Sequence, residues 1–165
     1  MEKPPTLAQR WIQHLAMIAW VTRAVAPVVH AVDRRLLVWS GDRFNLTTPL
    51  TGLPVRRIST TGARSGRLRT HPLTALRDGP RYALIASNFG RPRYPAWYYN
   101  LRAHPFAQVH GDGGNGRYAA RPASPEEYET VWARAVALYP GYAAYARRAA
   151  PRSVPILMLE PAVDG

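Results

Sequence analysis

Apolar residues recur along this chain in two rhythms. From residue 6 to about 38 the spacing is helical: Trp11, Leu15, Ile18 and Thr22 share one face, with Ala16, Trp20 and Arg23 adjacent, and the pattern resumes after Pro27 through Val28, Val32, Leu36 and Leu37. From Val55 onward the apolar positions come in short alternating runs, which predict strands at Val55–Thr60, Thr70–Leu76, Arg81–Ala86, Phe106–His110, Gly116–Arg121 and Val154–Glu160. Arg77-Asp78-Gly79-Pro80 predicts a hairpin between the second and third runs, and the glycine-rich segment Gly111–Gly116 predicts another between the fourth and fifth. Helices interrupt the strands. One starts with Pro95 in its first turn and places Trp97 and Leu101 one turn apart. Another has Ser124 as cap, Pro125 next, and Glu126 and Glu127 at its positive end, with Tyr128, Val131, Trp132 and Ala135 as its buried stripe. Pro140-Gly141 ends it, and a short helix follows over Tyr142–Arg148. About six short strands in a small chain predict a closed or nearly closed barrel in an α+β, mainly β, single domain spanning 1–165.

Charge changes this picture in one place. The chain of 165 residues carries a formal net charge of +12, and between Arg56 and Arg102 ten arginines face a single acid, Asp78. Val55, Ile58, Leu73, Leu76, Tyr82, Leu84 and Ile85 are interleaved with these arginines, so the segment is a folded element turned toward something negative. Codon preference accounts for arginine over lysine, since Lys3 is the only lysine, but it does not account for the missing acids. The N-terminal segment is amphipathic, basic and tryptophan-bearing, which suits either docking on its own domain or peripheral contact with a membrane surface. A secretory signal is not expected: Arg23 separates the apolar run Leu15–Val21 from Ala24-Val25-Ala26, and no stretch is long enough to span a bilayer. A cytoplasmic protein is the expectation.

The side-chain chemistry is sparse. Without cysteine there is no thiolate nucleophile or ligand, and His14, His30, His71, His104 and His110 fall in no metal-binding spacing, so no metal site is expected. No G-x-S-x-G elbow and no obvious carboxylate pair is present. An enzyme built this way needs a cofactor to supply reactivity. Three features are candidates. The loop Gly62-Ala63-Arg64-Ser65-Gly66, followed by Arg67 and Arg69, has the makings of an anion cradle, although an ordinary hairpin turn has the same composition. Ser87-Asn88-Phe89-Gly90 runs on toward Trp97 and sets polar groups beside the place of a flat ligand, with Phe89 and Trp97 as its cover or Trp97 as a core anchor. Tyr139, Tyr142 and Tyr145 meet at a helix–helix corner, where they line a pocket or pack.

Taken together, Ile58–Leu73, Leu84–Asn88, Pro95–Pro105, Tyr139–Tyr145 and Val154–Pro161 resemble the deazaflavin-dependent nitroreductase and quinone reductase family, over roughly residues 55–161. The resemblance implies an FMN-binding-like split β-barrel with an N-terminal helix (6–38) and peripheral helices. It also implies the deazaflavin coenzyme F420, which carries a phosphate and a polyglutamate tail. By position, Arg64, Ser65 and Arg69 would grip the phosphate and tail. His71 and Pro72 would lie along the ribityl chain and ring; Ile85, Ser87, Asn88 and Phe89 would edge the deazaflavin; Ala96, Trp97 and Asn100 would close the site. Thr74, Tyr139, Tyr142 and Tyr145 would face the substrate, with Ser87, Tyr139 and Tyr142 stabilising charge or relaying a proton while a hydride passes to a quinone, nitroaromatic or activated enone. Two departures stand out: Ala63 replaces a basic residue found in many members, and Thr74 replaces a tyrosine found in some. In some members the N-terminal region associates with membranes.

Three other readings remain at this stage. An FMN-binding split-barrel oxidoreductase would use the same basic face for a shorter anion. A coenzyme-binding protein without turnover would share the site. A nucleic-acid partner rests on charge alone and is not expected, since no nucleic-acid motif accompanies it. The oligomeric state is open.

Overall fold

The computed structural model describes residues 6–16, 19–111 and 116–162, with the backbone alone at 14–16, 19–27 and 30. In chain order the elements are α1 (Leu7–Ala16), α2 (Ala19–Trp39), α3 (Thr47–Thr51), β1 (Val55–Thr61), β2 (Leu68–Thr74), β3 (Leu76–Asp78), β4 (Arg81–Ile85), a 3-10 turn at Asn88–Gly90, α4 (Ala96–Ala103), β5 (Phe106–His110), β6 (Gly116–Pro122), α5 (Pro125–Leu138), α6 (Gly141–Ala149) and β7 (Ile156–Pro161). The seven strands form one sheet in the order β2-β1-β5-β6-β7-β4-β3, every neighbouring pair antiparallel.

The predicted strand Thr70–Leu76 is in fact two strands. Its first part pairs with β1, where Val55 opposes Thr74, and its last part pairs with β4, where Leu76 opposes Ala83. Only Leu76–Asp78 takes part in the hairpin over Gly79. Ala75, buried between the two parts, links strands that lie at opposite edges of the sheet. Two edges one residue apart in the chain can sit at opposite ends of a sheet only if the sheet curls round toward itself. That curl makes the split barrel, with seven strands where the sequence suggested about six.

Alternation along the central strands separates two cores. Tyr82, Leu84, Leu157 and Leu159 join Ile58, Val109, Trp97 and Leu101 in one cluster. Ala83, Ile85, Ile156 and Met158 join Val131, Ala135, Leu138 and the three tyrosines of the α5–α6 corner in the other. Because both faces of β4 and β7 are covered, these strands read as nearly continuous apolar runs rather than half-polar ones.

Helix α5 starts as the sequence indicates. The Ser124 hydroxyl accepts from the Glu127 N–H (3.3 Å), and the Glu127 carboxylate accepts from the Ser124 N–H (2.9 Å). This reciprocal box satisfies two backbone donors that the helix geometry leaves free. Arg121 and Arg81 close on the same carboxylate at 2.6 and 2.8 Å, tying the helix start to β6 and β4.

The N-terminal helices dock through polar groups. Gln13 is buried, and its Nε2 donates to the carbonyls of Thr51 (2.6 Å) and Leu138 (3.0 Å), joining α1 to the ends of α3 and α5. Asp33, buried on α2, accepts from the N–H groups of Leu46 (2.6 Å) and Thr47 (3.3 Å) and from the Thr47 hydroxyl, at the start of α3. Trp11, placed by its spacing on the apolar face, is instead 75% exposed, as are Leu7, Val38, Trp39 and Phe44 to large degrees. The side chains of Leu15, Ile18 and Thr22, and the interior of the Gly111–Gly116 turn, lie outside the described residues.

Candidate functional site

The loop between β1 and β2 is a tight turn closed by its own backbone. The Gly62 N–H donates to the Arg67 carbonyl (2.9 Å) and the Gly66 N–H to the Gly62 carbonyl (2.8 Å). Gly66 has φ +63°, and a Cβ on Gly62 would fall 2.6 Å from the Ser65 hydroxyl oxygen and 3.2 Å from the Arg67 carbonyl oxygen. A side chain at Gly62 would therefore crowd the closed turn, and glycine relieves backbone strain at Gly66. Arg64, Ser65, Arg67 and Arg69 all stand exposed around it. Asn100, buried on α4, holds the turn in place: its Oδ1 accepts from the Ala63 N–H (2.9 Å) and its Nδ2 donates to Thr60 Oγ1 (3.0 Å). Both ends of that amide are engaged, so Asn100 shapes the loop.

Register decides which side chains share the groove beside the loop. Thr60 opposes Arg69 and Ile58 opposes His71, which puts Arg69 and His71 on one face of β2. Pro72 opposes Arg57 and is buried on the other face. The strand thus separates His71 from Pro72.

At the end of β4 the chain turns sharply. Ser87 is buried, and Asn88, Phe89 and Gly90 follow with φ of +46°, +57° and +74°. Left-handed backbone is costly for residues with a Cβ, by about 1–2 kcal/mol each. At Gly90 a Cβ would meet Arg148 Cβ at 2.7 Å and the Tyr145 carbonyl oxygen at 2.8 Å, so this turn presses directly on α6. Asn88 Nδ2 donates to the Arg93 carbonyl at 2.8 Å. Pro95 is the cap of α4 rather than its first residue; Ala96 stands exposed in the first turn, and Trp97 is buried against the barrel cluster. Phe89 packs on the opposite cluster, with its ring 5.8 Å from that of Tyr145. Phe89 and Trp97 therefore belong to different cores.

The three tyrosines meet. Tyr139 and Tyr145 share a hydrogen bond between hydroxyls (2.8 Å), and Tyr142 packs edge-on to both rings at 5.7 and 6.3 Å. Thr74 lies close enough to Tyr142 to influence its phenol, so all four residues named for the substrate side converge. Gly141 permits the corner, since a Cβ there would lie 2.1 Å from the Tyr139 ring. Burial is the main cause that pushes the Tyr139 and Tyr142 phenols well above their usual range, so both hold their protons at neutral pH. Ile85 belongs to this same cluster.

Two arginines that spacing alone did not single out complete the arrangement. The Arg148 guanidinium carbon sits 4.9 Å from the Tyr145 ring centroid, and Arg152 reaches back to the turn after β4. The only sequence signal is a basic residue in the last turn of α6 for Arg148 and one between α6 and β7 for Arg152, and nothing local indicates where either points.

Among the described residues no group of histidine, cysteine or acidic side chains could hold a metal. What the site offers is an exposed cationic glycine turn, a strained polar turn and protonated phenols on a curled antiparallel sheet. Such a framework defines an oxidoreductase of the split-barrel class, whose redox chemistry comes from a bound coenzyme. The model of the F420H(2)-dependent quinone reductase family matches residues 34–161, and the chain belongs to that family. It is 33% identical over 116 residues to an F420H(2)-dependent quinone reductase of Mycobacterium tuberculosis, covering 68% of this chain and 76% of that protein. Among solved structures, an F420-H2 dependent reductase (FDR-A) superposes with a TM-score of 0.59 at 36% identity, covering 65% of this chain and 94% of that one. A structure described as a domain-swapped dimer superposes with a TM-score of 0.60 at 30% identity, covering 86% and 97%. The protein is thus an F420H2-dependent oxidoreductase of the quinone reductase type, and the coenzyme is F420.

Proposed function

We propose that this protein reduces quinones with a hydride from F420H2, with nitroaromatics and activated enones as further acceptors. The observation that carries this reading is the family match over residues 34–161, which spans every candidate site residue. The donor set suits a polyanionic coenzyme: Arg64, Ser65 and Arg69 stand exposed on and beside the glycine turn between β1 and β2. FMN, which lacks an anionic tail, makes less use of so many cations.

Bound F420H2 supplies the hydride. Arg64, Ser65 and Arg69 hold its phosphate and tail through charge-assisted hydrogen bonds. His71, on the face of Arg69, would lie along the ribityl chain, with Pro72 behind it on the buried face of β2. Ile85, Ser87, Asn88 and Phe89 border the ring; Ala96 and Trp97 bound its other side, and Asn100 acts through the glycine loop. On the acceptor side Thr74, Tyr139, Tyr142 and Tyr145 form the wall. A quinone takes one hydride and one proton to become the hydroquinone, and the protonated hydroxyl of Tyr139 or Tyr142, or that of Ser87, donates toward the oxygen on which charge develops. Residues 55–161 form the coenzyme-binding core.

Peripheral contact with a membrane is a further part of this reading. Leu7, Trp11, Val38, Trp39 and Phe44 are exposed alongside Arg10, Arg34 and Arg35, a composition suited to an anionic lipid surface. No helix among the described residues is long and apolar enough to cross a membrane.

The test is a titration with F420 followed by turnover with menadione. Micromolar binding and quinone-dependent oxidation of F420H2 are expected. Folded protein that neither binds nor oxidises the coenzyme refutes the assignment, and tight binding without turnover for any acceptor class leaves only a carrier.

A further inference from the structure

We propose that Arg152, in the segment between α6 and β7, is a positioning residue whose guanidinium clamps the Ala86–Arg91 turn and so sets where Ser87, Asn88 and Phe89 stand. The inference rests on the reading above for its catalytic consequence, though not for the clamp itself.

The geometry is specific. Nη1 donates to the carbonyls of Ala86 (3.1 Å) and Ser153 (2.9 Å); Nη2 donates to those of Ser87 (2.9 Å) and Arg91 (2.9 Å); Nε donates to Arg91 as well (3.1 Å). The guanidinium carbon lies 4.7 Å from the Tyr94 ring centroid. One planar cation thereby gathers both ends of the turn and its own strand entry. Only a guanidinium has donors spread over a rigid plane for such an arrangement; an ammonium offers three donors from a single point.

The turn needs a clamp. Asn88 tolerates left-handed backbone better than most residues, but Phe89 at φ +57° is a bulky side chain in a region such residues avoid. Strain of this kind persists only where the surroundings over-determine it, and it gathers where geometry matters for function. The backbone bonds within the turn, Gly90 N–H to Ser87 O and Arg91 N–H to Asn88 O at 3.0 Å each, close it locally without fixing its orientation on the barrel. Gly90 and Phe89 pack the turn on α6, and Arg152 adds the polar anchor that holds its carbonyls, from 61 to 66 residues away in sequence.

The experiment compares full-length wild type with Arg152→Met and Arg152→Lys. Amide hydrogen exchange without coenzyme reads the clamp alone: exchange at 86–91 should rise about tenfold in Arg152→Met, with β1 and β5 unchanged. Single-turnover oxidation of F420H2 by menadione at saturating coenzyme should fall about tenfold or more, because misplacing groups at a reacting centre by an ångström is enough. The F420 Kd should change less than about threefold, since Arg64 and Arg69 remain. Arg152→Lys should recover less than half of the rate, and it carries the comparison should Arg152→Met fail to fold. Unchanged exchange at 86–91, exchange rising uniformly over the sheet, or a rate loss wholly explained by Kd would each overturn the proposal. Wild type that shows the exchange pattern but never oxidises F420H2 overturns the functional reading and the catalytic half of this proposal together, while the clamp stands.

Discussion

The hydroxyl of Tyr139 lies 2.8 Å from that of Tyr145, and both rings are buried where α5 meets α6. The pair is at once a packing element and a source of protonated hydroxyls beside Phe89 and Ile85. These two roles separate experimentally. Tyr139→Phe removes one hydroxyl and deprives Tyr145 of that bond, at a cost of about 1–3 kcal/mol. Adding Tyr145→Phe should cost less than the sum of the single changes, by about 1 kcal/mol, in a denaturation double-mutant cycle. Additive losses would mean that the bond contributes nothing.

Alkaline stability should report the same corner. Tyr139 and Tyr142 are raised above the ordinary 10.0 mainly by burial. Above pH 10 the unfolded chain releases these protons while the folded one retains them, so stability is at its full value below that pH and falls as pH rises further. Urea denaturation at pH 9, 10 and 11 should show the decline, and Tyr142→Phe should flatten it.

The acid side has a different origin. Glu127 is lowered from 4.5 to about 2, first by its hydrogen bonds with Arg121 and then by the Ser124 N–H. A depressed carboxyl contributes stability above its unfolded value and loses it as pH falls from about 4.5 toward 2. Glu127→Gln should remove this part of the acid transition, seen by circular dichroism. Ser124→Ala should cost about 1 kcal/mol at neutral pH through the lost cap.

Two glycines should resist substitution for steric reasons. Gly141→Ala drives a Cβ to 2.1 Å from the Tyr139 ring, and Gly90→Ala drives one to 2.7 Å from Arg148 Cβ at φ +74°. Each should destabilise by about 2 kcal/mol or more, measured by thermal or urea unfolding. Gly79→Ala, with φ +60° but nothing within 4 Å, isolates the backbone contribution and should cost less.

Arg64→Ala and Arg69→Ala should each weaken F420 binding about three- to tenfold while leaving turnover at saturating coenzyme nearly intact. Because these side chains are exposed, the loss should shrink as salt rises. Fluorescence titrations at two ionic strengths check both points. A fall in saturated turnover with unchanged binding would place these arginines elsewhere in the reaction.

Much of the fold was legible from local pattern. The start of α5 followed from Ser124, Pro125 and Glu127, and the break before α6 from Pro140-Gly141, because capping and turn chemistry act within four residues. The convergence of Tyr139, Tyr142 and Tyr145 was suggested by the same break. Trp11 misled, because helical spacing shows that a face exists and not whether anything covers it; α1 docks instead through Gln13. Asn100 looked like a lid over the ligand from its place in the motif, whereas its amide is spent on Thr60 and Ala63.

By itself the sequence determined the periodicity of the strands, the caps and turns, the concentration of arginine opposite a single acid, and the lack of any side-chain set able to do redox chemistry unaided. Those properties are written in composition and short spacing. Tertiary structure alone decided that Ala75 divides one apparent strand between the two edges of a curled sheet, and that Arg152 braces the turn beside Ser87. Each of these depends on hydrogen bonds between distant segments. Such partners are chosen by the closure of the whole sheet, and no local pattern encodes them.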